Sequence, residues 1–144
     1  MLYLGRYNNS IDSKGRVVIP AKFREKLGEV FVVCGGFDKS LYVYDMADFE
    51  EYAARLKELP RSDERARRFK QFFLTTATDV EPDKQGRVSI GEDLIRYAEI
   101  KKDVVVVGNG DHIEIWARER FPEADSYGDI GELASGLSEY GLLI

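Results

Sequence analysis

Two short stretches of the chain place an acid, a glycine and an arginine at identical spacing. The first is Asp12-Ser13-Lys14-Gly15-Arg16, and the second is Asp83-Lys84-Gln85-Gly86-Arg87. The apolar residues behind them also correspond, since Val17-Val18-Ile19 is matched by Val88-Ser89-Ile90. Five residue types of different chemistry therefore recur at one offset, the 71 positions that separate Asp12 from Asp83. This pattern indicates that the chain contains two copies of one unit.

The acids and glycines of these stretches suit tight β-hairpin turns. Gly15 and Gly86 can adopt the positive φ that such turns usually require. The carboxylates of Asp12 and Asp83 can accept hydrogen bonds from backbone N–H groups of the turn. We therefore predict that Asp12, Gly15, Asp83 and Gly86 shape two turns, each followed by a short strand.

The bases beside the two glycines are Lys14 and Arg16 in the first turn and Arg87 in the second. Arginine can pair bidentately with guanine in the major groove, whereas lysine acts as a point charge on phosphate or guanine. A glycine turn lets the backbone approach closely, so such bases can enter or straddle a DNA groove. The competing interpretation is that these bases only keep sheet edges soluble. Repetition of Gly-Arg in both copies favours a binding role, because solubility alone does not require it.

Residue types for catalysis are scarce in this chain. One histidine, His112, and one cysteine, Cys34, cannot supply a zinc site of the usual kind or an evident dyad. His112 alternates with Ile113 and Ile115, so it is expected to point outward as an inert surface residue. Cys34 lies in an apolar run and is expected to be a buried thiol. We predict no catalytic residue.

Metal and phosphate motifs are also missing from the sequence. The alternating acids Asp79, Glu81 and Asp83 form either a weak cation site or a solvated acidic sheet edge. No Gly-Lys-Ser/Thr stands at Walker spacing, and no GxGxxG opens a helix. The sequence therefore predicts no cofactor and no resident metal, and a small metal-dependent enzyme using Asp83 is kept only as a third alternative.

Charge is distributed unevenly along the 144 residues, whose net charge is −5. The first 28 residues are basic, and their bases are Arg6, Lys14, Arg16, Lys22, Arg24 and Lys26. The stretch from Phe121 to the end holds five acids and no base. Such a chain can carry a local positive surface while it is acidic overall. With no bilayer-length apolar run and no signal peptide, the expected setting is the reducing cytoplasm.

The first copy is predicted to contain four strands and two helices. A strand over 2–11 leads into the first turn, and strands follow over 17–19, 30–34 and 41–44. Pro20 suits the start of a short helix that ends before Gly28. Apolar residues at helical spacing predict a second helix that is capped by Asp45 or Asp48 and ends near Pro60.

A helix beginning at Ser62 is predicted to connect the copies, with a basic stripe that a solvated helix face also explains. The second copy repeats the strands over 76–80, 87–90, 103–107 and 113–116. After Phe121 the glycines and Pro122 favour an interrupted tail. Ile130, Leu133, Leu137 and Tyr140 could still form one weak amphipathic helix there.

Taken together, the stretches NSIDSKGRVVIPAKFR and PDKQGRVSI resemble the MraZ family. That family carries two tandem SpoVT/AbrB-like domains with a DxxxR signature, usually written with KGR in the first copy and QGR in the second. The resemblance extends from Gly5 to about Phe121 and includes FVV, LYVY and IEIW. Differences from the family pattern include Gly91 where the first copy has Pro20, and Glu99 where it has Gly28.

This resemblance implies a bacterial transcriptional regulator whose swapped-hairpin-type barrels assemble into a ring. It also implies binding to short direct repeats upstream of the division and cell-wall gene cluster, with autoregulation and a place at the nucleoid. By motif position, Lys14, Arg16 and Arg87 would contact DNA, and Asp12, Gly15, Asp83 and Gly86 would shape the turns.

The sequence thus predicts an α+β fold made of two tandem repeats with short helices. The predicted units are a first repeat over 1–60, a connecting helix over 61–75, a second repeat over 76–121 and an acidic tail over 122–144. The predicted partners are double-stranded DNA and further copies of the chain, without a membrane. The alternative function is an oligomeric assembly or protein-interaction module whose turns are oligomer contacts.

Overall fold

The computed structural model describes residues 1–142. The predicted tail extends to residue 144, and its last two residues lie outside the described part. The strands are β1 (Tyr3–Ser10), β2 (Arg16–Val18), β3 (Phe31–Gly35), β4 (Leu41–Asp45), β5 (Thr78–Val80), β6 (Arg87–Ser89), β7 (Asp103–Gly110) and β8 (Ile113–Ala117). The α-helices are α1 (Ala21–Leu27), α2 (Met46–Lys57), α3 (Glu64–Thr75), α4 (Glu92–Tyr97) and α5 (Ile130–Ser135).

Six of the strands form one antiparallel sheet in the order β1-β7-β8-β4-β3-β5. Strands from the two sequence copies are neighbours at three places in it, since β1 pairs with β7, β4 with β8 and β3 with β5. The mixture of an antiparallel sheet and helices confirms the predicted α+β class. Within residues 1–142 the order begins at β1 and ends at β5, so the predicted closed barrel stays a prediction.

The central strands of the sheet are buried on both faces, and successive side chains therefore enter two different clusters. Phe31 and Val33 of β3 belong to a large core cluster, whereas Cys34 and Tyr44 belong to a smaller one. Helices α1 and α4 and the strands β2 and β6 complete the large cluster. Their buried side chains are Phe23, Leu27, Leu94, Val17 and Val88.

Helices α2 and α3 cover the other face of the sheet. Asp45 caps α2, with its carboxylate accepting a hydrogen bond of 2.8 Å from the backbone N–H of Asp48, as one of the two predicted caps. Asp63, and not the predicted Ser62, caps α3, because its carboxylate accepts from the backbone N–H groups of Arg65 and Ala66. Aromatic rings then fill the space under both helices, and they are Tyr44, Phe49, Tyr52, Phe69 and Phe73.

His112 lies in a polar network at the β7–β8 hairpin, so the expected exposed position on the surface is wrong. Its side chain is only 13% exposed, and Nε2 lies 2.8 Å from the carboxylate of Glu114. Nδ1 lies 2.7 Å from Asp111, and the ring stacks on Tyr44. Alternation with Ile113 gave the correct face of the strand, but that face is covered by aromatic side chains rather than by water.

The residues after Phe121 form short helical pieces rather than one helix. Helix α5 spans six residues, and Gly136 follows it as the C-cap. A separate 3-10 turn covers Ser138–Tyr140, so the predicted single amphipathic helix is broken at the glycine. No helix within residues 1–142 has both the length and the apolar character needed to span a bilayer.

Candidate nucleic-acid interface

The two hairpin turns meet in a second, two-stranded sheet. Strand β2 pairs with β6 in antiparallel register, with Val17 opposite Val88 at the centre. Arg16 lies opposite Ser89 and Val18 opposite Arg87, so the two copies are related by a local two-fold axis. Because β2 and β6 lie 71 positions apart in the chain, their pairing brings together turns that the sequence separates widely.

Backbone hydrogen bonds interlock the two turns reciprocally. The N–H of Ile19 donates to the carbonyl of Gly86 at 2.9 Å, and the N–H of Ile90 donates to the carbonyl of Gly15 at 2.8 Å. Each copy thus completes the hydrogen bonding of the other copy's turn. Val17 and Val88 are buried beneath, which fixes the register of the pair.

Inside each turn, one carboxylate organises the backbone in the same way. Asp12 Oδ1 accepts hydrogen bonds from the N–H groups of Lys14 and Arg16, each at 2.9 Å. Asp83 Oδ1 accepts from Gln85 and Arg87 at the same distances. Gly15 and Gly86 have φ of 75° and 79°, the left-handed region that favours glycine.

The second oxygen of each carboxylate holds the arginine of the same turn. Arg16 Nε donates to Asp12 Oδ2 at 2.7 Å, and Arg87 Nε donates to Asp83 Oδ2 at 2.8 Å. A guanidinium has five N–H donors, so four on the two Nη atoms remain after the Nε bond. The side chains are 27% and 29% exposed. The carboxylates therefore fix two half-exposed forks whose outer donors suit a planar acceptor such as a guanine edge or a phosphate.

These contacts lower the pKa of both carboxyl groups. For Asp12 the largest cause is the backbone N–H of Arg16, and the Arg16 side chain adds to it. For Asp83 the corresponding cause is the backbone N–H of Arg87. Both acids are therefore ionised at neutral pH, which keeps each arginine held by a full negative charge.

The exposed corners of the two turns carry a lysine at different positions, Lys14 in the first and Lys84 in the second. Lys14 is exposed at the first turn, with its backbone N–H bonded to Asp12 and its side chain directed away from the core. Gln85 takes the corresponding position at the second turn, where it is also exposed. Of the three bases that the sequence singled out, the structure thus holds Arg16 and Arg87 in matching positions and leaves Lys14 on one side only.

Arg24 is a further base at the pair of turns, although it lies in α1 of the first copy. Its Nε donates to the carbonyl of Ile19 at 2.8 Å, and its guanidinium packs against Gly86 of the second turn. Ile95 of α4 packs against Gly15 in the equivalent place. Arg24 and Ile95 occupy corresponding positions of the two copies, so the repeat offset was the signal that could have found them. The sequence shows Arg24 only as one of the bases of the first 28 residues, whereas in the structure it is half-buried against the second turn.

The acids near this interface do not assemble into a metal site. Across residues 1–142, no group of three or more His, Cys, Asp or Glu side chains is arranged to hold a metal ion. Asp83 is engaged by Arg87, while Asp79 and Glu81 are exposed. Of the two alternatives for these acids, a weak cation site and a solvated acidic sheet edge, the arrangement matches the second.

Comparison with known proteins gives matches along nearly the whole chain. A family model described as "MraZ protein, putative antitoxin-like" matches residues 2–72 and again residues 73–127. A protein of Clostridium tetani named transcriptional regulator MraZ is 42% identical over 142 residues, which cover 98% of this chain and 100% of that protein. Proteins with the same name from Lachnoclostridium phytofermentans and Clostridium acetobutylicum are 44% and 40% identical, and they cover 98% of this chain. Those two proteins are themselves covered over 99% and 100% of their length.

Proposed function

Because the chain belongs to the MraZ family, we propose that it is a DNA-binding transcriptional regulator and not an enzyme. The names of its relatives support regulation of transcription. The single observation that carries DNA binding is the pair of interlocked turns, each with an arginine held by its own aspartate. Two forks of the same kind, related by a local axis, suit a repeated acceptor such as duplex DNA.

We assign DNA contacts to Lys14, Arg16 and Arg87. Arg16 and Arg87 are the proposed base contacts, since their planar donors can pair with O6 and N7 of guanine. Lys14 is the proposed phosphate contact, because an exposed ammonium acts as a point charge without planar geometry. Asp12, Gly15, Asp83 and Gly86 are proposed to hold the turns in the shape that presents these bases.

The proposed architecture follows the family's swapped-hairpin arrangement. The reciprocal bonds between Ile19 and Gly86 and between Ile90 and Gly15 are consistent with two copies exchanging hairpins within one chain. We keep the division into a first repeat over 1–60, a connecting helix over 61–75, a second repeat over 76–121 and a tail over 122–144 as part of this proposal.

A single pair of turns offers few base contacts, so specific affinity would come from several copies on one DNA. Linked contacts act at high effective concentration, which raises avidity without any new contact. We therefore propose a homo-oligomeric ring on short direct repeats, upstream of the division and cell-wall genes that include the protein's own. Autoregulation and association with the nucleoid are parts of the same proposal.

Footprinting and gel shift on the DNA upstream of the protein's own gene test this function. Protection of regularly spaced repeats by the wild type, with loss of protection in Arg16→Ala, is the expected result. Arg55→Ala is the matched control, because Arg55 is an exposed arginine of α2 paired with Glu51 and distant in sequence from both turns. Lys14→Ala is expected to reduce the slope of log affinity against log salt by about 1.

The alternative is an assembly module, and the exposed apolar residues of the tail are the observation that favours it. Sizing of Arg16→Ala separates the two functions. Lost DNA binding with an intact oligomer supports the regulator, whereas a lost oligomer supports an assembly role for the turns. Unchanged affinity in Arg16→Ala together with an unchanged salt slope in Lys14→Ala would exclude the proposed DNA contacts.

A further inference from the structure

Within residues 1–142, the tail carries apolar side chains that the described part of the chain leaves exposed. Ile130 and Leu133 lie three residues apart on one side of α5, and Leu137 follows directly after the Gly136 cap. Ile130 is 60% and Leu133 is 56% exposed. Acids flank this face, including Asp129 and Glu132. Exposed apolar side chains with a polar border are typical of a surface that another molecule covers.

A groove of complementary character lies where the chain passes from α2 into α3. It has a volume of about 310 Å³ and is lined by the apolar side chains of Leu59, Pro60 and Ala66. Three cations surround these side chains, namely Arg61, Arg67 and Lys70. In the part of the chain that the structure describes, none of these three cations forms an ion pair. The groove thus combines an apolar floor with three cations that lack an acidic partner within residues 1–142.

Charge distribution matches the tail to this groove. From Phe121 onward the chain has no base, and its acids are Glu123, Asp125, Asp129, Glu132 and Glu139. The stretch over 61–70 has two acids, Asp63 and Glu64, and its bases are Arg61, Arg65, Arg67, Arg68 and Lys70. Opposite potentials steer two surfaces together and fix their relative orientation.

We propose that the tail of one copy docks, through Ile130, Leu133 and Leu137, into the α2–α3 groove of a second copy. The acids of the tail then face Arg61, Arg67 and Lys70 of the copy that receives it. The two surfaces are different parts of the chain, so the contact is head-to-tail, and such a contact closes into a ring when the rotation allows. The inference rests on the proposed oligomer and names the contact that would build it.

The chemistry of the groove favours the tail of a second copy over DNA as the molecule that binds there. DNA is a polyanion and does not suit an acidic tail, whereas the basic stripe of α3 taken alone could attract it. The apolar floor of the groove distinguishes the two, because phosphates gain nothing from Leu59 and Ala66, while Leu133 does. Every copy carries one tail and one groove, so the groove of each copy in an oligomer can bind the tail of its neighbour.

Cross-linking between full-length variants tests the contact directly. One preparation carries Leu133→Cys and a size tag, the other carries Ala66→Cys, and the two are mixed before a short bismaleimide is added. The native Cys34 does not interfere, because it is fully buried and burial raises the pKa of its thiol to about 12. The matched control replaces Ala66→Cys by Arg68→Cys, an exposed position on α3 outside the groove.

A tagged-to-untagged product with Ala66→Cys, and about tenfold less with Arg68→Cys, is the expected result. Equal products from both positions, or none from either, would overturn the proposed contact. A single chain that carries both cysteines and links only to itself would show that the tail folds onto its own groove, and the proposal would then be wrong.

Sedimentation velocity of charge variants gives a second, independent test. Glu132→Arg and Arg67→Glu are each expected to weaken self-association by about tenfold, and the two together to restore it. Circular dichroism establishes that each variant is folded. A wild type that stays monomeric, or variants with unchanged association, would contradict the docking.

DNA binding is measured in the same variants, so the two proposals can fail separately. If the charge variants lose the oligomer but still bind a single repeat through Arg16, the docking holds together with the proposed function. If Arg16→Ala leaves DNA binding unchanged while the charge swap restores the oligomer, the docking holds and the proposed function does not.

Discussion

Arg87 Nη1 lies 3.9 Å from Oδ2 of Asp12, so the arginine of the second turn approaches the acid of the first. Asp12 therefore faces Arg16 of its own turn and Arg87 of the other. The contact crosses the local axis between the two copies, and it joins their side chains as the Ile19 and Ile90 bonds join their backbones. Residues that share a partner in this way do not act independently.

This shared carboxylate predicts that Arg16 and Arg87 are coupled in DNA binding. Arg16→Ala and Arg87→Ala should each weaken specific binding by about 1–3 kcal/mol, the usual cost of losing a bidentate base contact. The double variant should differ from the sum by about 0.5 kcal/mol or more, because either truncation frees Asp12 to hold the remaining guanidinium. Fluorescence anisotropy on the upstream DNA, with Arg55→Ala as the control, measures all three affinities; strict additivity would contradict the coupling.

The close approach of Arg24 to Gly86 predicts a specific stability cost. Gly86 has φ of 79°, and a Cβ there would lie 2.6 Å from Cζ of Arg24. Gly86→Ala should therefore lower the free energy of unfolding by about 1–2 kcal/mol for the left-handed backbone. Displacement of Arg24 would add the loss of its bond to Ile19, typically about 1 kcal/mol.

Urea unfolding of Gly86→Ala in the wild-type and Arg24→Ala backgrounds separates these two costs. The substitution should cost less when Arg24 is already absent, because only the backbone strain remains. Gly136→Ala is the control, since Gly136 has a negative φ of −77° and open space around its Cβ. Equal costs in both backgrounds would show that Arg24 does not restrict this position.

The local features of this chain were predictable from its sequence, and the long-range pairing was not. Helix α1 follows from Pro20, the Phe23–Leu27 spacing and Gly28. Each of these signals acts on residues that are close to it in the sequence. The pairing of β2 with β6 depends on residues 71 positions apart, and the repeat revealed their equivalence without revealing that they meet. Sequence periodicity specifies which face of a strand is apolar, but it does not specify the strand's neighbour.

His112 shows the same limit on a single residue. The period-two pattern predicts its face of the strand correctly, yet the aromatic rings that cover it come from β4. The choice of Asp63 over Ser62 as a helix cap is a smaller case, because both residue types cap helices well and only the geometry decides between them. For His112 the missing information was a tertiary contact, whereas for the cap it was the local backbone geometry.

The His112–Glu114 pair predicts a loss of stability as pH rises above about 6.5. Burial opposes the charge on His112, but hydrogen bonds to Glu114 and Asp111 outweigh it and raise the pKa of the ring. A raised folded-state pKa means that the stabilisation is complete below the unfolded value of about 6.5 and is lost as pH rises through the folded value. The free energy of unfolding should therefore fall as pH rises above about 6.5.

Glu114 affects the free energy of unfolding at the acidic end of the pH range. Burial alone would raise the pKa of its carboxyl, yet the donors His112, Asn109 and Trp116 lower it. Its contribution is present above the ordinary carboxyl range and is lost as pH falls below about 4. Thermal unfolding followed against pH checks both limbs. His112→Gln should remove the alkaline limb and leave the acid denaturation that other carboxylates cause, and an alkaline limb that persists in this variant would assign it to another group.

The carboxylates that hold the arginines predict an opposite effect on specific and non-specific DNA binding. Asp83→Asn keeps an oxygen that can accept from the N–H groups of Gln85 and Arg87, so the turn should persist. It removes the negative charge that fixes the Arg87 fork through Nε. Specific affinity should fall because the released guanidinium loses its preset orientation, whereas non-specific affinity should rise because one charge that repels phosphate is gone.

Anisotropy titrations on the upstream DNA and on a scrambled duplex, over a range of salt concentrations, measure the ratio of the two affinities. A matched Asp79→Asn variant, which removes an exposed acid outside the turn, should raise both affinities alike and leave the ratio unchanged. If Asp83→Asn behaved as Asp79→Asn does, the aspartate would contribute only its charge, and the orientation of Arg87 would not determine sequence recognition.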